Sequence, residues 1–168
     1  MRFGPIPSRS RRPDLPVARG ERLLAWATAP DGSTVGATRE ALYVPDRQPP
    51  RLPWEEVATA EWDSDEELLK VVEVGRFGEP QPEHRLALTQ PDRLLATVRE
   101  RVTASIVLQR HVAVRGRHGV RVIGRRAPGT HGPIGWFVEY DVGLDPDDPA
   151  VRAVVDDALA TARADVGE

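Results

Sequence analysis

Between Glu21 and Leu88 apolar residues come in short runs that alternate with polar ones at a period of two, the signature of half-buried strands. The runs are Leu23 to Thr28, Thr34 to Thr38, Ala41 to Val44, Glu56 to Trp62, Leu68 to Val74 and Arg85 to Leu88. Asp31-Gly32 separates the first two as a hairpin turn does. Proline and glycine clusters at 45–53 and 75–82 read as connections. The pattern predicts an antiparallel meander.

The period then changes. Thr89-Gln90-Pro91-Asp92 fits a capping box with proline in the first turn. Leu94, Leu95, Val98, Val102, Ser105 and Ile106 follow at helical steps, with Arg93, Arg99, Glu100 and Arg101 turned away. A helix is expected from Gln90 to about Val107, although Ala104, Ile106 and Leu108 also stay in step with Val112 and Val114 as a strand would. Val112 and Val114, then Val120 and Val122, alternate with polar residues on either side of Gly116 to Gly119. Pairing Val114 with Val120 and Val112 with Val122 puts four valines on one face and His111, Arg115, Arg121 and Arg125 on the other. A further strand is expected over Gly135 to Val142, with Trp136, Val138, Tyr140 and Val142 on one side and Phe137 as a misfit on its polar side. Asp148-Pro149 then caps a helix whose stripe is Val151, Val154, Val155, Ala158, Leu159 and Ala162.

Residues 1–19 carry four prolines and five arginines without periodicity and read as a flexible basic arm, with no signal-peptide or membrane-span pattern. The expected division is this arm at 1–19, a first domain at 20–107, and an appended β-β-β-α element at 108–168. A chain of 168 residues with 40% hydrophobic residues suffices for a real core. Net charge is only −3, so any electrostatic function is local. The absence of cysteine excludes disulfides, thiolate catalysis and cysteine-ligated metals, and a cytoplasmic location is expected. A single lysine, Lys70, among 23 basic residues reflects coding bias in a GC-rich genome.

Six or seven short strands followed by one helix resemble the bacterial PH-like (pleckstrin-homology or GRAM-type) fold over about residues 20–107. The residues that carry the resemblance are Gly20-Glu21-Arg22-Leu23-Leu24-Ala25-Trp26, Ala37-Thr38-Arg39-Glu40-Ala41-Leu42-Tyr43-Val44, and Leu52-Pro53-Trp54-Glu55-Glu56-Val57. The last of these contains a step of aromatic, acid, acid and aliphatic residues. The expected class is thus α+β: a small antiparallel PH-like barrel or sheet closed by a helix, then a hairpin, a strand and a helix. The resemblance implies a binding scaffold. Lipid-binding members place bases in the first hairpin loop, whereas Ala29-Pro30-Asp31-Gly32-Ser33 has an acid and no base, which speaks against inositol phosphates there.

The densest charge feature is Arg110 to Arg126, which holds six arginines, two histidines and no acid. Its candidate anion- or partner-binding residues are Arg110, His111, Arg115, Arg117, His118, Arg121, Arg125 and Arg126. Guanidinium forks suit phosphate and carboxylate. The plainer reading makes the same residues a solvated face, or partners for the acidic segments 55–67 and 139–148. No aromatic is interleaved for base stacking, so nucleic acid is the alternative and a protein partner or self-association the leading reading. His84, His111, His118 and His131 lack metal-ligand spacing, and no serine sits in a nucleophile elbow. Residues 124–135 lack the ending of a phosphate loop, and Asp63-Ser64-Asp65-Glu66-Glu67 lacks the glycine and spacing of a calcium loop. A catalytic role would require His111 or His131 to meet a carboxylate in a cleft. The tryptophans are expected in the core, with Trp54 beside Pro53 a possible exposed anchor. The expectation is a non-enzymatic interaction module without cofactor or metal.

Overall fold

The computed structural model describes residues 12–76 and 79–168. Four strands come first, β1 (Ala25–Thr28), β2 (Thr34–Ala37), β3 (Ala41–Tyr43) and β4 (Arg51–Pro53), paired in that order. A single 3-10 turn, Trp54–Glu56, leads to β5 (Val57–Asp63), β6 (Leu68–Glu73) and β7 (Glu83–Ala87), a second antiparallel sheet. Helix α1 (Asp92–Ser105) runs straight into β8 (Ile106–Arg115), which pairs with β9 (His118–Arg125), and β9 pairs with β10 (Gly135–Tyr140). Helix α2 (Pro149–Asp165) ends the described fold. The class is α+β, with three antiparallel sheets and, among the described residues, two α-helices.

The expected barrel is not closed. The first two sheets face one another over one core, and among the described residues they meet edge to edge only at a bridge, where Thr89 donates its N–H to the Thr28 carbonyl at 3.0 Å. The prolines at 45–53 predict a connection, but strand β4 lies within this stretch. It forms because Leu52 pairs with Leu42 and is fully buried, and as an outer strand it tolerates Pro53. The capping box also fails. Thr89 is taken up by the bridge, Gln90 adopts φ 48°, and Pro91 precedes α1 without a side-chain cap. The chain leaves α1 at Ser105, so Ile106 and Val107 belong to β8. The Asp31-Gly32 turn forms as expected, with Gly32 at φ 86° and Ala29 donating to the Ser33 carbonyl.

Two cores result. Leu42, Leu52, Trp54, Leu69, Leu86, Leu94 and Val98 belong to the first, beneath α1. Trp54 is fully buried with its Nε1–H donating to the Thr38 carbonyl at 3.1 Å, so it is not an exposed anchor. Val120, Val122, Val151, Val155, Ala158 and Ala162 form the second, where α2 covers one face of the β8–β10 sheet. Asp148 caps α2 as expected, its Oδ1 accepting the Ala150 N–H at 2.8 Å.

The arm falls in two parts. Residues 1–11 lie outside the described residues. Pro13, Leu15 and Val17 are half-buried at alternate positions, and Leu15 lies so close to Gly36 that a β-carbon there would clash with it. Ala18 donates its N–H to Tyr43 Oη at 2.7 Å. That hydroxyl donates in turn to Glu21, which also takes Thr38 Oγ1 and Arg51 Nε.

Candidate functional site

The hairpin register differs from expectation by two residues. Val112, not Val114, lies opposite Val120, and Arg110 lies opposite Val122, with a bulge between Ala113 and Arg115. A two-residue shift leaves each side chain on its expected face, so the valines still point to α2. His111, Arg115 and Arg121 are exposed as expected. Arg125 is not: it is 4% exposed. At this end of β9 the supposed polar face is covered by the first half of the molecule. The Arg125 guanidinium donates to Ser105 Oγ at 3.1 Å and to the Ala58 carbonyl at 3.0 Å.

Acidic residues farther along the chain claim most of the other cations. Arg110 meets Asp165 at 2.5 Å, Arg115 meets Asp148 at 2.5 Å, Arg121 meets Glu139 at 3.0 Å, and His111 lies 3.2 Å from Asp141. The segment 139–148 thus supplies three of the four acids, and α2 the fourth. No ion pair joins this hairpin to the segment 55–67 among the described residues; the only hydrogen bond to it is Arg125 with the Ala58 carbonyl. Two of these carboxylates do a second job. Asp148 caps α2, and Asp141 Oδ2 accepts the Gly119 N–H at 2.7 Å. That backbone bond, followed by His111, holds the Asp141 carboxyl below its usual range. Arg117 and His118 stand exposed at the turn, and Arg126 borders a shallow hollow with His131. The eight candidates therefore do not converge on one site. The His111–Asp141 pair lies on the surface, outside the principal cleft, and among the described residues no group of three potential ligands is placed to hold a metal.

The principal cleft lies elsewhere. Its volume is about 560 Å³, and it follows the open edge of β10. Val155 and Leu159 of α2 flank it on one side; Ala58, Val74, Gly75, Arg76 and Gln81 of the first half flank it on the other. Strand β10 contributes Trp136 to Tyr140, and β9 contributes Ile123 and Arg125. Phe137, the misfit on the polar side of β10, is thereby explained. It lies opposite Ile123, and this pair faces the first half while Trp136 and Val138 face α2. At its Gly135 end the sheet is covered on both sides.

Main-chain geometry gives the cleft its chemistry. Asp141 donates its N–H to the Gly119 carbonyl at 3.0 Å, continuing the β10–β9 ladder. Antiparallel pairs alternate between bonded and non-bonded residues, so Glu139, Phe137 and Gly135 also direct their main-chain groups at β9. Trp136 and Val138 direct their N–H and C=O groups to the opposite edge, into the cleft. Among the described residues no strand pairs with that edge.

The sequence held two traces of this site, the candidate Arg125 and the apolar Phe137 on a face otherwise polar. Arg76 and Gln81 left none, since they belong to a segment read as connection. No protein-family model, curated protein or solved structure matches the chain. No helix among the described residues is long and apolar enough to cross a membrane.

Proposed function

We propose that this chain is a non-enzymatic interaction module that holds an extended segment of a partner protein by adding it as a strand to β10. One observation carries the reading: a strand edge with which no described strand pairs, lying inside the cleft along β10, with Trp136 and Val138 presenting main-chain donors and acceptors. Exposed edges usually resist pairing through charge, short length or covering. The other edge of this sheet, β8, does so with Gln109, Arg110, His111 and Arg115. The composition of β10, Gly-Trp-Phe-Val-Glu-Tyr, has one charge in six residues. Strand addition takes affinity from main-chain hydrogen bonds and specificity from pockets at alternate side chains, and the two unlike walls beside β10, apolar at α2 and mixed at the first half, suit that division. A PH-like scaffold in residues 20–107 fits the same role, since such folds serve mainly to hold partners.

The test uses peptides selected from a random octapeptide library against the full chain. Binding should slow amide exchange at Trp136 and Val138 and leave the outer edge of β8 unchanged. Protection at β8, or none on either edge, would remove the reading.

A further inference from the structure

The charge of the groove narrows the occupant. Arg125 is the one buried cation among the described residues, and its acceptors, Ser105 Oγ and the Ala58 carbonyl, are both neutral. No carboxylate among the described residues forms an ion pair with it. The acid it senses, Glu139, is already held by Arg121 at 3.0 Å. A guanidinium cannot lose its proton, and it has five donors, so a positive charge remains in the cleft wall with donors to spare. Burial is the main influence on this group and pulls its pKa down. Hydrogen bonds to an ionised partner are the strong ones, and more so where water is excluded. Arg76, exposed on the same cleft, also forms no ion pair among the described residues.

Resting on the strand-addition reading, we propose that the occupant is an acidic extended segment of a partner protein, with one Asp or Glu reaching Arg125. Register locates that acid. Arg125 lies opposite Gly135, so the acidic side chain falls at the Gly135 end of the added strand, on the face toward the first half. Side chains alternate along a strand, so its neighbours face Val155 and Leu159 of α2 and are apolar. Farther along the first face Phe137 favours an apolar residue, and Glu139 disfavours a second acid. Arg76 adds a longer-range attraction. A basic segment would instead meet two arginines.

The octapeptide selection on the full chain reads this directly. The retained pool should be enriched in Asp or Glu alternating with apolar residues. Replacing that acid in the best peptide by its amide should weaken binding at least about tenfold. Arg125→Met should do the same, and Arg76→Gln should weaken binding less while flattening its salt dependence. The peptide and Arg76 arms do not depend on the folding of the Arg125 variant. A pool without acidic excess, or equal binding of acid and amide with Trp136 and Val138 still protected, overturns the acidic occupant and leaves strand addition standing. No retained peptide, or none that protects those amides, overturns both. Sedimentation showing a dimer whose β10 amides are protected without peptide would assign the groove to a second copy and overturn the proposal.

Discussion

Glu73 shows how a single side chain joins distant parts of the first core. It is nearly buried, and its Oε1 lies 2.7 Å from Arg47 Nε and 2.6 Å from His84 Nε2. Burial pushes its carboxyl up, but the bonds from Arg47 and His84 outweigh that and hold it below the usual range. Glu21 behaves alike, with Thr38, Arg51 and Tyr43 overcoming burial. A carboxyl depressed in the folded state contributes stability above its unfolded value of about 4.3, and that contribution is lost as pH falls through the folded value. Glu73→Gln should therefore cost about 2 kcal/mol at neutral pH, and chemical denaturation should show a shallower acid loss than in the parent chain. Arg125 has the opposite character. Its charge is buried beside neutral acceptors only, so Arg125→Met should change the unliganded stability by no more than about 1 kcal/mol, because relief of desolvation offsets the two lost bonds. A residue that adds little to stability yet stays charged in a cleft wall is where binding and folding make different demands.

Among the elements, α2 was the most legible and β4 the least, since its prolines read as a connection. Asp148-Pro149 and the valine-alanine stripe specify α2 from neighbours within a few residues, and both the cap and the stripe form. Asp148 also receives Arg115, so Asp148→Ala removes a cap and an ion pair together. It should cost about 1–2 kcal/mol, nearly all from the cap, since the exposed pair contributes little. Thermal unfolding of Asp148→Ala beside Arg115→Ala separates the two. Strand β10 was legible in existence but not in extent or role. It stops at Tyr140, and Val142, expected on its apolar side, is 94% exposed. The Asp141 carboxylate turns to the Gly119 N–H and the loop departs.

For the whole molecule, the arginine stretch changes meaning. In sequence it is an acid-free run of positive charge. In space Arg110, Arg115 and Arg121 each meet an acid, and His111 lies beside Asp141. With a net charge of −3 and these pairs formed, duplex DNA and single-stranded RNA should show no binding at physiological salt in an anisotropy titration. Salt-sensitive binding lost in Arg115→Ala and Arg121→Ala would restore the nucleic-acid alternative. The cleft depends on this scale entirely, because its walls come from Ala58, Val74, Gly75, Arg76 and Gln81 on one side and from residues of β9, β10 and α2 on the other, and exist only when the two halves touch.

By itself the sequence determined what neighbours a few residues apart can decide: the meander, the Asp31-Gly32 turn, the helix stripes, the Asp148 cap and the α+β class. Periodicity and turn chemistry act locally, so they survive without knowledge of the rest of the chain. Tertiary structure decided what depends on which face is covered. It made β4 a strand by pairing Leu42 with Leu52, left the two sheets short of a barrel, and buried Arg125 and Phe137 on a face that alternation alone assigns to solvent. Alternation says that a sheet has two faces; only the packing of the other half says that both are used.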